Sequence, residues 1–231
     1  MIIIESISWL IVFIISVTIH EAAHAWAAKK GGDLTAYRGG QVSLNPIPHI
    51  KREPLGMIVF PLISSLLFGW PFGYASSPYN TYWAHEHPRK AALMATAGPI
   101  SNIFIVLLCA FIIKGGILIG VFTQPYSIGF QSIVVPASGG IWTGLSVFVS
   151  MLFTLNLVLA VLNLIPLPPL DGSNIISLFL RDAAARKYRS IISNPIFGFL
   201  GFLIAWRVFS PLFIIIFRGA INTLYSGSGY Y

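Results

Sequence analysis

Charge is what this sequence has least of: of 231 residues only 9% are Asp, Glu, Lys or Arg, against 56% hydrophobic, and the mean hydropathy is +0.80. So little charge cannot coat a water-exposed surface, which excludes an ordinary soluble domain and points to an integral membrane protein. Cysteine is nearly missing too. The single Cys109 allows no intrachain disulfide and no thiolate cluster, so any metal site has to be built from His and carboxylate. Acids are half as common as bases, 7 against 14, for a net charge of +7. In a soluble protein that excess suggests nucleic acid. Here the bases gather between apolar runs, as in cytoplasmic loops, so the charge reads as topology and no nucleic-acid partner is expected. No internal repeat, heptad or long linker is evident, and residues 1–231 read as one membrane domain with a flexible tail from about 219 to 231.

The apolar runs predict an all-α polytopic membrane protein of roughly four to six transmembrane segments. The first covers about residues 3–28 and stops at Lys29, Lys30 and two glycines, which places those lysines in the cytoplasm and the N-terminus outside. Ala25-Trp-Ala27 resembles a signal-peptide cleavage site, but Glu5 and the lack of an early basic residue argue against a cleaved leader. Residues 34–49 mix β-formers around Gly39-Gly40 and end in two prolines, which predicts a short membrane-associated hairpin. The piece from Leu55 to Trp70 is short and contains Pro61. With Lys51-Arg52 before it and Arg89-Lys90 after it, the chain has to return to its starting side, as a re-entrant or tilted segment does. Further spans are expected at 91–113, 141–165 and 196–217, with an irregular extracytoplasmic stretch at 117–140.

The chemistry concentrates in the first span, where His20, Glu21 and His24 form His-Glu-Ala-Ala-His. Ionisable side chains at membrane depth are costly without a partner or a task. On a helix, positions i and i+4 share a face, so both imidazoles reach one metal ion, while Glu21 stands beside them to take a proton from an activated water. They lie four to eight residues from Ala28, or roughly 6–12 Å below the membrane boundary. A catalytic zinc ion needs a third protein ligand. Asn163-Leu-Ile-Pro-Leu-Pro-Pro-Leu-Asp171-Gly172 offers one: three prolines break the fourth expected segment on the same membrane side, and Asp171 is delivered from the break. The competing readings are a turn or capping role for Asp171 and a proton-relay or third-ligand role for Glu21. The other acids near polar stretches, Asp33, Glu53, Glu86 and Asp182, fall in apparent loops, and His49 reads as a surface-loop residue. The roles of His49, His85 and His87 stay open.

His-Glu-Ala-Ala-His at the end of a first helix, Gly98-Pro-Ile-Ser-Asn102 on a second and Asn163 to Gly172 on a third together resemble the site-2 protease family of intramembrane zinc metalloproteases. Leu44-Asn-Pro-Ile-Pro-His49 and Pro71-Phe-Gly-Tyr74 resemble its compact branch without PDZ domains. The resemblance implies a three-helix catalytic core with one Zn2+ per chain, His20, His24 and Asp171 as its ligands and Glu21 as catalytic base. It also implies that Asn102 and Asn163 line the site, and that segment 34–49, Asn45 included, lies where substrate docks. Asn102 suits an oxyanion donor or an interhelical packing hydrogen bond. The implied substrates are transmembrane proteins within the lipid bilayer of the plasma or inner membrane, cut toward the cytoplasmic side. The alternative readings are a zinc transporter or sensor, or a non-catalytic pseudoprotease. The chain departs from the family pattern at His49-Ile-Lys-Arg-Glu-Pro54 and at Ala75-Ser-Ser-Pro78.

Overall fold

The computed structural model describes residues 2–226. Four long helices dominate: α1 (Ile2–Gly31), α6 (Pro88–Leu118), α7 (Ile141–Leu164) and α10 (Pro195–Leu224). Each is long and apolar enough to cross a membrane. Between them lie α2 (Thr35–Arg38), α3 (Pro46–Arg52), a π-helical turn (Leu55–Val59) running into α4 (Phe60–Phe68), α5 (Thr81–Glu86), α8 (Asp171–Ile175), a 3-10 turn (Ile176–Phe179) and α9 (Asp182–Ile192). In the expected tail, about 219–231, residues 219–224 belong to α10 and 225–226 form a turn, while 227–231 lie outside the described residues.

The small sheet is present, but not in 34–49. It pairs β1 (Phe122–Thr123) with β2 (Val135–Pro136), antiparallel, in the connection between α6 and α7. Segment 34–49 is helical and turn-like instead, because its prolines start a helix and do not end a strand. Asn45 accepts a hydrogen bond from the Ile47 amide at 3.0 Å, and Pro46 takes the first helical position, where a missing N–H costs nothing. His49, expected on the surface, is 1% exposed and its Nε2 donates to the Ser43 carbonyl at 3.1 Å.

Residues 55–80 run out and back. Leu55–Phe68 has 14 residues, roughly 21 Å of helix, too short for an upright crossing. Gly69, left-handed at φ 69°, ends it, and the chain comes back extended. The two limbs meet where they began: Tyr74 N donates to Gly56 O at 3.1 Å, Arg52 Nε to Ser76 O at 3.1 Å, and Ser76 Oγ to Glu53 at 2.7 Å.

α1 and α6 share the most extensive helix packing, and α7 completes a three-helix centre. Trp9, Val12, Phe13 and Val17 of α1 close on Met57, Met151 and Leu155. At the end bearing β1 and β2, Ile133, Val134, Phe153 and Phe213 form a second core. Lys90 Nζ donates to Gly31 O at 3.2 Å, which brings the end of α1 to the start of α6. Of the 14 Lys and Arg residues, all but Lys114, Arg207 and Arg218 lie at the end of α1, at the start of α6 or in the short elements and loops between the long helices.

Candidate metal centre

His20 and His24 stand one turn apart on α1 and point at α6 and α8. Their Nε2 atoms are 3.0 Å apart, and Asp171 Oδ2 lies 3.2 Å from the first and 3.1 Å from the second. What lies behind each imidazole decides the chemistry. Asn102 Oδ1 sits 2.6 Å from His20 Nδ1, and the Met94 carbonyl 2.7 Å from His24 Nδ1. A carbonyl oxygen can only accept, so each neutral ring carries its proton on Nδ1 and turns a bare lone pair inward at Nε2. Asp171 adds a carboxylate, the ordinary form of an Asp side chain at neutral pH. Two lone pairs and an anion facing one another repel unless a cation sits between them. Tetrahedral zinc, at about 2.0–2.1 Å from each ligand, sets donor atoms about 3.3 Å apart, close to the separations found. The donor set fits a zinc ion.

Gly98 makes this closeness possible. A Cβ there would fall 2.6 Å from His20 Nε2 and nearer still to His24 Nε2, so only glycine lets the α6 backbone pass the imidazoles.

A buried polar chain supports His20. Asn102 is 0% exposed, and its Nδ2 donates to Asn156 Oδ1 at 2.8 Å. Asn156 Nδ2 in turn donates to Ser16 Oγ at 2.9 Å and to Leu152 O at 2.8 Å. Asn102 is therefore engaged at both ends of its amide and does not line the open cavity. Asn156, on α7, escapes sequence reasoning: a lone Asn in an apolar span carries no spacing that ties it to the histidines. Its one signal is the cost of an amide at membrane depth.

Glu21, Asn163 and Asp171 line a cavity of about 510 Å³ beside the cluster, walled on one side by the extended residues Gly73–Ser77. Asn163 donates to Leu159 O at 3.0 Å. Asn45 is outside this cavity, its side chain spent on capping α3. His85 and His87 lie on and just after α5, away from the cluster.

The profile of Peptidase family M50 matches residues 8–206. Among curated proteins, the chain is 37% identical over 194 residues to YwhC of Bacillus subtilis (strain 168), covering 84% of this chain and 77% of that one. It is 26% identical over 160 residues to Rip2 of Mycolicibacterium smegmatis, covering 69% of this chain and 52% of that one. Each relative bears a provisional zinc-metalloprotease name. No solved structure matches the chain. The chain, a multi-pass membrane protein, thus belongs to peptidase family M50, the site-2 protease family of intramembrane zinc metalloproteases.

Proposed function

We propose that His20, His24 and Asp171 hold one zinc ion and that the cavity beside it cleaves peptide bonds in or near the transmembrane segments of other membrane proteins. The convergence of Asp171 on two imidazoles whose Nδ1 atoms are both already engaged carries this reading. Zinc bound there supplies Lewis acidity, polarising a carbonyl and lowering the pKa of water toward about 7. Glu21, buried on the same turn of α1 and facing the cavity, takes the proton of the attacking water and returns it to the leaving amine. Asn102 and Asn156 hold His20 in the tautomer and orientation that present Nε2. Asn163, with amide capacity left after its bond to Leu159, hydrogen-bonds the substrate backbone.

A helical substrate conceals its amides and has to unwind. The extended limb at Gly73–Ser77 borders the cavity and offers a backbone edge along which an unwound segment can lie. By the positive-inside rule, the charged face with Lys29, Lys30, Arg52, Arg89 and Lys90 is cytoplasmic, which sets the site toward that side of a plasma or inner membrane.

The test measures zinc content and cleavage of a transmembrane model peptide together, with and without chelator, for the parent, Glu21→Gln and Asp171→Ala. The expected pattern is one zinc and chelator-sensitive cleavage in the parent, zinc without turnover in Glu21→Gln, and neither in Asp171→Ala. Chelator-insensitive cleavage would overturn the reading.

A further inference from the structure

The cavity wall holds a cation that the proposed chemistry leaves unused. Arg189, on α9, lines the same space as Asp171 and Glu21. Its partners are neutral: Nη1 donates to Asn174 Oδ1 at 2.8 Å, and the Tyr79 hydroxyl lies within interaction range. Among the described residues no carboxylate forms an ion pair with it. Arg89 differs, since its Nε lies 3.3 Å from Asp182 on the open surface.

Burial pulls the Arg189 pKa down and Tyr79 partly restores it, yet a guanidinium stays charged at neutral pH. A partly desolvated charge without an opposite charge is less favourable than a paired one, and a ligand that brings that charge improves it. Five N–H donors in a planar fork suit a carboxylate, and Asn174 takes up only part of them.

We infer that Arg189 is an anion-reading subsite of the cleft, one that binds the side-chain carboxylate of an Asp or Glu in the substrate, in the stretch flanking its membrane span on the charged face. Asn174 follows Asp171 by three residues on α8, roughly 5 Å along the helix, so the recognised acid lies within a few residues of the scissile bond. A polypeptide fits better than a lipid headgroup, because the same cavity is also lined by Gly73–Ser77, a stretch free of helix and turn along which an unwound chain can lie. The inference rests on the proteolytic reading for the identity of the ligand.

The experiment uses the full chain in vesicles and pairs of transmembrane peptides that differ only in Glu or Gln, the position being moved stepwise along the flanking stretch. Binding is read with Glu21→Gln protein and cleavage with the otherwise unaltered protein. At one or two adjacent positions the Glu peptide should bind and be cut with a preference of about tenfold over its Gln twin, mainly through KM. Arg189→Gln abolishes the preference and Arg189→Lys keeps part of it, with zinc content unchanged in both. Asn174→Ala separates a tether from a reader: if Arg189 merely ties α9 to α8, both variants slow the two peptides equally, which overturns the inference. A preference that persists in Arg189→Gln, occurs at no position, or follows the anionic lipid content of the vesicle also overturns it. Discriminating binding without any cleavage would leave the subsite standing and remove the proteolytic reading.

Discussion

α7 and α10 both qualify as membrane spans and are nearly equal in hydropathy, yet 61% of the most apolar window of α7 is buried against 17% of that of α10. The difference lies in the polar residues. α7 carries Ser146, Ser150, Thr154 and Asn156, all buried and each with a partner. Ser150 Oγ accepts from the amides of Ile133 and Val134 at 3.1 and 3.2 Å, and Thr154 Oγ1 donates to Phe130 O at 3.0 Å. α10 instead shows Phe199, Leu203, Ile204 and Ile215 outward. At membrane depth there is no hydrophobic drive to sort one apolar helix from another, so hydrogen-bonding side chains mark which helix lies inside.

That contrast can be broken from either side, and the largest effects are expected at the centre. His24→Ala or Asp171→Ala removes a proposed ligand and should abolish both zinc retention and cleavage, read by metal analysis and peptide turnover. Glu21→Gln should keep the zinc and lose roughly 10²–10⁴ in kcat. Gly98→Ala drives a methyl group into both imidazoles and should weaken zinc binding by more than tenfold, read by competition with a chelator. Asn156→Leu strips the support from Asn102 and leaves Ser16 and Asn102 short of a partner. A loss of about tenfold in zinc affinity is expected, whereas Ile204→Ala on the outer face of α10 should leave zinc affinity unchanged. Equal effects from Asn156→Leu and Ile204→Ala would erase the distinction between the helices.

The smallest effect lies outside the membrane, at Asp33. Burial raises its carboxyl pKa, but bonds from the Thr35 hydroxyl at 2.6 Å, the Asn80 amide at 2.7 Å and the Thr35 amide at 2.9 Å outweigh it, and the net shift is downward. A carboxylate with a depressed folded pKa stabilises fully above its unfolded value of about 4, and that stability is lost as pH falls through the folded value. Thermal unfolding of parent and Asp33→Asn should therefore differ at pH 6, with a gap that shrinks progressively as the pH falls below 4 toward the depressed folded value. A gap that widens on acidification would contradict this.

Some of this was readable from the residues and some was not. The out-and-back path of residues 55–80 was legible because basic pairs flank a stretch too short to cross. His20, His24 and Asp171 could be singled out because charge at membrane depth and proline in a span are both anomalies. The 34–49 helices were hidden because Asn45-Pro46 opens a helix by the same chemistry that reads as a turn. The burial of His49 and the link from Asn156 through Asn102 to His20 depend on which helices become neighbours, and 54 residues of sequence separate the two asparagines.

The most direct measurement is zinc K-edge absorption on the purified parent, His24→Ala and Asp171→Ala proteins. The expected result is one zinc per chain with scattering from two imidazoles in the parent, and no stoichiometric zinc in either variant. Zinc held without imidazole scattering, or an unchanged spectrum in Asp171→Ala, would contradict it.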